Sequence, residues 1–412
     1  MKELLFLAHR IPYPPSKGDK IRSYHILKHL AGSYRIHLGA FVDDPDDWRH
    51  QARLESLCAS VCLLPLRPLQ ARLRSLSGLI DHSALSLGYF HEQKMQRWVD
   101  SIMKRDGVRR VFVYSSPMAR YVMGEEFSCW QRVVDFVDVD SDKWRQYAQR
   151  KSWPLSWLYR REGERLLAFE SDVARIFDAS VFVSAAEADL FKQLAPEVAD
   201  RVCFIDNGVD FSYFSPDQEY ENPYQGRSDV LVFTGAMDYW ANVDAVRWFA
   251  RQIFPRVRQS APSAQFVIVG ARPTRDVLQL ASLAGVSVTG AVADIRPYLA
   301  HARAAVAPLR IARGVQNKVL EAMAMAKPVL ATPAAVEGIA YDNLLGLQVA
   351  DSEHQLAQMA IRLLQQGSSQ PIRASRQWVC QRYDWDVNLD RMSELFEGLS
   401  DQLFPLSGGQ NA

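Results

Sequence analysis

Arg310-Ile-Ala-Arg-Gly-Val-Gln-Asn-Lys-Val-Leu-Glu-Ala-Met-Ala-Met-Ala-Lys-Pro-Val-Leu-Ala-Thr332 is the stretch from which the architecture is read. A polar, glycine-containing loop (Arg310 to Asn317) runs into a short helix expected over Lys318–Ala326. A buried strand then follows from Pro328 to Thr332. The loop brings Arg310, Arg313 and Lys318 to a helix N-terminus, where free backbone N–H groups and the positive end of the dipole favour an anion. Gly314 lets the backbone approach a phosphate closely. Glu321, one turn inside the helix, adds an acceptor-only group. Phosphate beside a hydroxyl-bearing ring fits this constellation.

Working outward, the same alternation of strand and helix fills both halves of the chain. In the first half Leu4–Ala8, Arg35–Phe41, Val61–Leu64, Val111–Tyr114, Val133–Val137, Ala179–Ser184 and Val202–Ile205 are short apolar runs. Helical periodicity lies between them at Lys20–Leu30, Met95–Arg105 and Ala185–Leu194. The second half restarts at Val230–Thr234. It continues through Phe266–Val269, Val286–Thr289, Ala304–Ala307, Pro328–Thr332 and Leu347–Val349, with helices at Val243–Gln259 and Gln355–Gln365. Such alternation predicts parallel sheets covered on both faces, in two doubly wound α/β domains with ligand sites at the carboxyl ends of their strands. The seam falls in Asn207–Gln225, rich in Gly, Pro, Asp, Tyr and Ser.

Bulk composition agrees with two globular domains. The chain has 412 residues, 48% of them hydrophobic, and a net charge of +1, which argues against a protein devoted to nucleic acid. Five cysteines, odd in number and without a C-x-x-C pair, suggest reduced thiols. No apolar run reaches the length of a membrane span, and the N-terminus enters a strand pattern rather than a signal peptide. A cytoplasmic location is expected. A nicotinamide-binding reading fails, because the first strand is followed by His-Arg-Ile-Pro-Tyr-Pro-Pro-Ser-Lys-Gly instead of G-x-G-x-x-G, and Val269-Gly-Ala-Arg272 is a poor match.

Several ordered signatures carry a family resemblance. They are Lys17-Gly-Asp-Lys-Ile-Arg22, Ile205-Asp-Asn-Gly-Val-Asp-Phe-Ser-Tyr-Phe-Ser-Pro216, the strands Val230–Gly235 and Phe266–Gly270, and Val288-Thr-Gly-Ala-Val-Ala-Asp-Ile-Arg-Pro-Tyr298. Glu321-Ala-Met-Ala and Tyr383-Asp-Trp385 complete the set. On these residues the chain resembles the retaining, nucleotide-sugar-dependent GT-B glycosyltransferases of family four. The combination of Thr-Gly-Ala-Met-Asp-Tyr, Asp-Ile-Arg-Pro-Tyr-Leu and Gln-Asn-Lys-Val-Leu-Glu-Ala-Met-Ala is similar to the branch found with exosortase-linked exopolysaccharide loci. The resemblance implies two Rossmann-like domains facing a cleft, with residues 1–206 on the acceptor side and 207–382 binding the donor. Residues 383–412 would form a helix returning to the first domain, and closure about Asn207–Pro216 would exclude water. It also implies an enzyme transferring a hexosyl or other glycosyl group with retention, with neither metal nor cofactor, in the synthesis of exopolysaccharide or another cell-surface polysaccharide.

The implied donor site comprises Gly18, Gly235, Gly290 and Glu321, joined by Arg310, Arg313, Gly314 and Lys318. Two departures stand out. Arg313 occupies the position of the first glutamate of the E-x7-E motif, and Gly235-Ala-Met-Asp-Tyr-Trp-Ala-Asn242 lacks the Arg and Lys that many members carry there. Arg310, Arg313 and Lys318 are therefore the candidates to balance a diphosphate leaving group. On the acceptor side, Lys17, Asp138 and Asp140 are candidates, with Asp138 and Glu321 nearest the chemistry. Asp138 and Asp140 also form a D-x-D, which can grip a metal and diphosphate; the donor signatures in the second half favour an acceptor role instead. Lys20 shares a basic loop and helix start with Lys17 and Gly18, while Arg22 is read as facing solvent. His9 is weighed as a cleft residue against an ordinary loop histidine. His25 and His29 have helical metal spacing but lack further ligands.

Residues 66–89 and 143–161 mix bases with apolar and aromatic residues. That suits an anionic membrane surface and a lipid-linked acceptor, would equally suit stacking on nucleic acid, or marks ordinary helices with snorkelling side chains. The competing functions are a sugar-nucleotide epimerase of the same architecture and a catalytically silent nucleotide-binding member of an assembly.

Overall fold

Leu4 to Ala8 are wholly buried, as expected of a parallel strand covered by helices on both faces. This strand, β1 (Lys2–Ala8), belongs to a seven-stranded sheet with β2 (Tyr34–Val42), β3 (Ser60–Pro65), β4 (Val108–Tyr114), β5 (Gln131–Val137), β6 (Ala179–Phe182) and β7 (Val202–Phe204). The order is β3-β2-β1-β4-β5-β6-β7, and every pairing is parallel. The order reverses between β1 and β4, so the loops leaving these strands diverge and open a crevice at their carboxyl ends. The computed structural model describes residues 1–15, 18–105, 107–149, 151–312, 315–339, 346–366 and 372–397. They divide into one unit formed by Met1–Asp206 with the chain from Asp386 onward, and a second formed by Asn207–Trp385.

The helices of the first unit that matter below are α1 (Gly18–Ser33), α2 (Pro68–Ser75), α3 (Ser77–Ile80), α4 (Leu85–Tyr89), α5 (Asp140–Gln149) and α6 (Leu155–Ile176). The second unit has a six-stranded parallel sheet of β8 (Val230–Thr234), β9 (Gln265–Val269), β10 (Val286–Gly290), β11 (Ala304–Ala307), β12 (Val329–Ala331) and β13 (Leu347–Val349). Its order, β10-β9-β8-β11-β12-β13, again reverses after the unit's first strand. Helices α7 (Trp240–Trp248) and α8 (Asn317–Ala324) lie beside this switch. The last described helix, α9 (Trp385–Glu397), places Glu397 on Lys2 and Tyr34, and Ser393 on His29.

Two helix boundaries differ from expectation. The helix read as Lys318–Ala326 is Asn317–Ala324, because Ala326 takes a left-handed φ of 54° and turns the chain toward β12. The helix read as Val243–Gln259 starts at Trp240 and is interrupted by a π-type turn, Phe249–Ile253. Pro255 lies just beyond, and its missing N–H removes one α-helical bond; the Phe254 N–H reaches Phe249 O instead.

Candidate functional site

In the second unit the candidate residues gather at the switch point. Gly235 follows β8 with φ of 154° and donates its N–H to Val269 O at 3.0 Å. A Cβ on Gly270 would stand 1.7 Å from Gly235 O, so the two strand ends approach backbone to backbone as only glycine allows. Asn242, buried on α7, donates to Ala236 O at 2.9 Å and fixes the turn beyond Gly235; its Oδ1 is buried without a hydrogen-bond partner. Gly290 ends β10 in the neighbouring loop, at φ of 73°.

Lys318 and Glu321 stand on the first turns of α8, which follows the β11 loop. A Cβ on Gly235 would lie 3.5 Å from Lys318 Cε, so the lysine stem crosses the mouth of the switch. The ammonium lies 5.6 Å from the centroid of the Phe233 ring and donates to Gln316 Oε1 at 3.4 Å. Burial lowers the Lys318 pKa to about 8 and raises that of Glu321 to about 7; each partner opposes the other's shift. The protein thus holds an undersolvated cation and an undersolvated carboxyl three residues apart. An entering phosphate would complete the shell of the first, and hydroxyl donors that of the second.

Arg310 has another occupation. Its guanidinium grips Asp244 of α7 through both carboxylate oxygens, at 2.9 and 2.5 Å, and lies 5.4 Å from the Trp248 ring centroid. Its charge is already compensated on an exposed surface, so of the two described basic candidates Lys318 is the one at the switch. Arg313 and Gly314 fall outside the described residues, as does Lys17.

The first unit builds a different cluster at its own switch point. His9 follows β1 and stacks on Tyr114 at the end of β4, with centroids 5.8 Å apart and planes 12° apart. Its Nε2 lies 3.7 Å from Asp19 Oδ2, and its Nδ1 is buried without a partner. Arg10 donates to the same Asp19 oxygen at 2.9 Å, and Tyr114 donates its hydroxyl to Asp19 O at 2.8 Å. Burial alone would raise the Asp19 pKa, but His9 and Arg10 hold it well below the usual carboxylate range. Gly18, which opens α1, adjoins this cluster.

Asp138 is presented by a strained turn. Val137 has φ of 71°, and the Asp138 N–H closes onto Phe136 O at 3.0 Å. A β-branched residue in such a turn costs of order 1–3 kcal/mol, a strain that marks functional sites. Lys143, from α5, donates to Asp138 Oδ2 at 2.7 Å and to Asp140 Oδ1 at 2.9 Å. Burial would lower its pKa, but the two carboxylates hold it well above the ordinary lysine value. The D-x-D pair therefore grips an ammonium. Among the described residues no group of three or more His, Cys, Asp or Glu is arranged to hold a metal ion. His29 bonds to Ser393 at 3.0 Å instead of sharing a ligand with His25.

Two basic residues expected at the first loop are structural. Arg22 is 1% exposed and pairs with the wholly buried Asp135, Nε to Oδ2 at 2.9 Å. Lys20 is buried against Asp47. Their partners lie 113 and 27 residues away, beyond the reach of local pattern. Lys143 and Tyr114 carry no sequence signal of their role either. The first sits inside a basic–aromatic run and the second inside an apolar strand, so neither motif spacing nor charge singled them out.

Comparison with known proteins sets this geometry in a wider group. Residues 228–366 match the family model described as Glycosyl transferases group 1. The structure of Anabaena HepE in complex with UDP-glucose is similar over 97% of this chain and 100% of its own, at 16% identity and a TM-score of 0.67. Sucrose-phosphate synthase from Thermosynechococcus elongatus gives 97%, 100%, 16% and 0.68. WaaG, a glycosyltransferase involved in lipopolysaccharide biosynthesis, gives 98%, 100%, 16% and 0.60. None of the curated proteins matches the sequence significantly. The fold is GT-B: two parallel α/β units, each doubly wound.

Proposed function

We propose that this chain is a glycosyltransferase that moves a sugar from a nucleotide-sugar donor to a glycan or lipid-linked acceptor, with retention at the anomeric carbon. The Lys318–Glu321 pair at the second switch point carries the reading. A cation short of counterions beside an acceptor for hydroxyls suits a sugar nucleotide's diphosphate and ribose. The match of residues 228–366 to group 1 glycosyltransferases and the UDP-glucose held by HepE support it. In this reading the second unit binds the donor through Gly235, Gly290, Lys318 and Glu321, with Arg313 and Gly314 from the adjoining loop. Arg310 acts from its Asp244 pair as a support for that loop.

The first unit takes the acceptor. Asp138 meets the acceptor hydroxyl while Lys143 holds its carboxylate in place, and Asp140 shares that lysine. Lys17 is assigned to the acceptor and Gly18 to the donor, as the family resemblance implies. Family four, the exosortase-linked branch, a role in exopolysaccharide synthesis, independence of metal and work at the inner face of the membrane belong to the same proposal.

The test is a panel of radiolabelled UDP-, GDP- and ADP-sugars incubated with the protein and lipid extract, with and without divalent metal. Label transferred to an acceptor is the expected result. Isomerised donor would make the chain an epimerase instead, and donors left intact throughout would make it a silent nucleotide-binding protein.

A further inference from the structure

Leu69, Leu73, Leu76 and Ile80 recur at intervals of four, three and four along α2 and α3. Leu76 between the two helices keeps helical dihedrals (φ −64°, ψ −23°), so the four side chains form one stripe. The stripe points outward. Ile80 is 84% exposed and Leu69 76%, whereas Ala71, Ser75 and Gly78 on the opposite side are buried. This is an amphipathic segment whose small residues pack inward, close enough that a Cβ on Gly88 would lie 3.0 Å from Arg74 O. Its large apolar residues are left to solvent.

The start of α6 extends the same surface. Arg161 donates to Gly78 O at 2.5 Å and to Ser83 O at 3.2 Å, and Glu162 accepts from the Leu85 and Ser86 N–H groups. Trp157 precedes Arg161 by one helical turn, and Trp153 lies in the turn just before the helix begins; both are exposed, Trp153 at 80%. Eight of the fifteen large apolar side chains exposed among the described residues lie in 69–80 and 153–157. Concentration of this kind marks an interaction surface.

Charge selects the occupant. Residues 66–80 and 151–161 contain Arg67, Arg72, Arg74, Lys151, Arg160 and Arg161 and no carboxylate; Arg74 is paired with Glu92 outside them, which leaves five cations for a partner. Two copies meeting through this face would oppose cation to cation. Base stacking could use only the rings of Trp153 and Trp157 and would leave the five aliphatic side chains of 69–80 exposed to water. Anionic headgroups above acyl chains complement both the cations and the leucines. We propose that α2, α3 and the start of α6 form a membrane-docking face that takes anionic lipid.

The face lies at the functional end of its sheet. Helix α2 leaves β3 three residues after that strand ends. Helix α6 runs 22 residues to the amino end of β6, so its exposed start stands about 33 Å away, on the side of the strands' carboxyl ends. Docking would bring lipid-linked substrates toward His9 and Asp138. Lipid binding itself is independent of sugar transfer, so it stands or falls apart from the transferase reading.

The test is cosedimentation of the full chain with vesicles of phosphatidylcholine alone and of phosphatidylcholine mixed with phosphatidylglycerol. Binding is expected to the mixed vesicles. Arg67→Gln with Arg72→Gln should weaken it about fivefold per cation. The triple variant Leu73→Ser, Ile80→Ser, Trp153→Ser should weaken it by about tenfold per residue. Each variant is checked for unchanged far-ultraviolet circular dichroism, and the charge variant decides alone if the apolar one misfolds. Equal binding to both vesicle types, or binding untouched by the variants, overturns the proposal. So does a dimer in sedimentation velocity, lost in the triple variant, from a protein that binds no vesicles.

Discussion

Lys318 has Gln316 as its polar contact, at 3.4 Å, and its burial lowers the ammonium to about 8. A ligand diphosphate needs the protonated form, so nucleoside diphosphate affinity should fall as pH rises through about 8, by up to tenfold per unit. Calorimetric titration with UDP, GDP and ADP at pH 7 and pH 9 measures this. Lys318→Met should bind weakly and without that pH dependence, and an equally steep decline in the variant would sink the assignment. Arg22 makes the opposite case of a cation fully engaged. Its Asp135 partner is pushed up by burial and pulled back by the guanidinium. Removing Arg22 alone, as Arg22→Met, should cost about 3–5 kcal/mol, whereas Arg22→Met with Asp135→Val should regain most of it. Denaturant unfolding of the single and double variants reads the difference; equal losses in both would show that the pair is not what the fold depends on. The two cations lie on segments of similar basic, glycine-containing sequence. What separates them is a carboxylate supplied by a strand more than a hundred residues away, and sequence spacing carries no record of it. Lys318 was legible because its site is built from one continuous loop and helix. Arg310, in the same loop, was not, since Asp244 comes from α7.

Strand–helix alternation could be read from the sequence because buried parallel strands are short apolar runs with little else in them. Helix ends were less legible, since they depend on backbone dihedrals that side-chain periodicity does not report. Ala326 continues the apolar pattern of α8, yet its φ of 54° ends the helix, with its N–H on Met323 O at 2.9 Å and that of Lys327 on Ala322 O at 3.0 Å. Glycine relieves that conformation at the cost of more freedom in the unfolded chain, so Ala326→Gly should stabilise the protein by about 0.5–1 kcal/mol. The reverse exchange at the end of β9 should be damaging. In Gly270→Ala the new Cβ meets a backbone oxygen fixed by the Gly235–Val269 hydrogen bond, and neither strand end can yield without opening the switch point. A loss of about 3 kcal/mol or more is expected, together with weaker nucleotide binding. Melting curves for the two variants should move in opposite directions. Shifts of the same sign would mean that one of these backbone turns is not strained as described.

Each unit has its own core. One runs from Leu5 to Val202 and the other from Val209 to Tyr383, and the chain returns to the first after Trp385. Residues 386–397 bury Leu389, Met392, Leu395 and Phe396. They also supply Glu397 to Lys2, Ser393 to His29 and the Leu395 carbonyl to Gln131, all partners in the first unit. Burial of four such side chains stabilises by at most about 6–12 kcal/mol, the size of an entire domain's stability. Trp385 serves the second unit instead, where its ring lies so close to Gly208 that a Cβ there would be 2.6 Å from it. Removing residues 386–412 while keeping Trp385 should therefore unfold or loosen the first unit and spare the second. Hydrogen exchange followed by mass spectrometry resolves the two. Amide protection should collapse in α1, β1 and β2, which meet the missing helix, and persist in β8 to β13. Loss spread evenly over both sheets would mean that their stabilities are coupled, and protection retained in α1 and β1 would mean that the returning helix is dispensable.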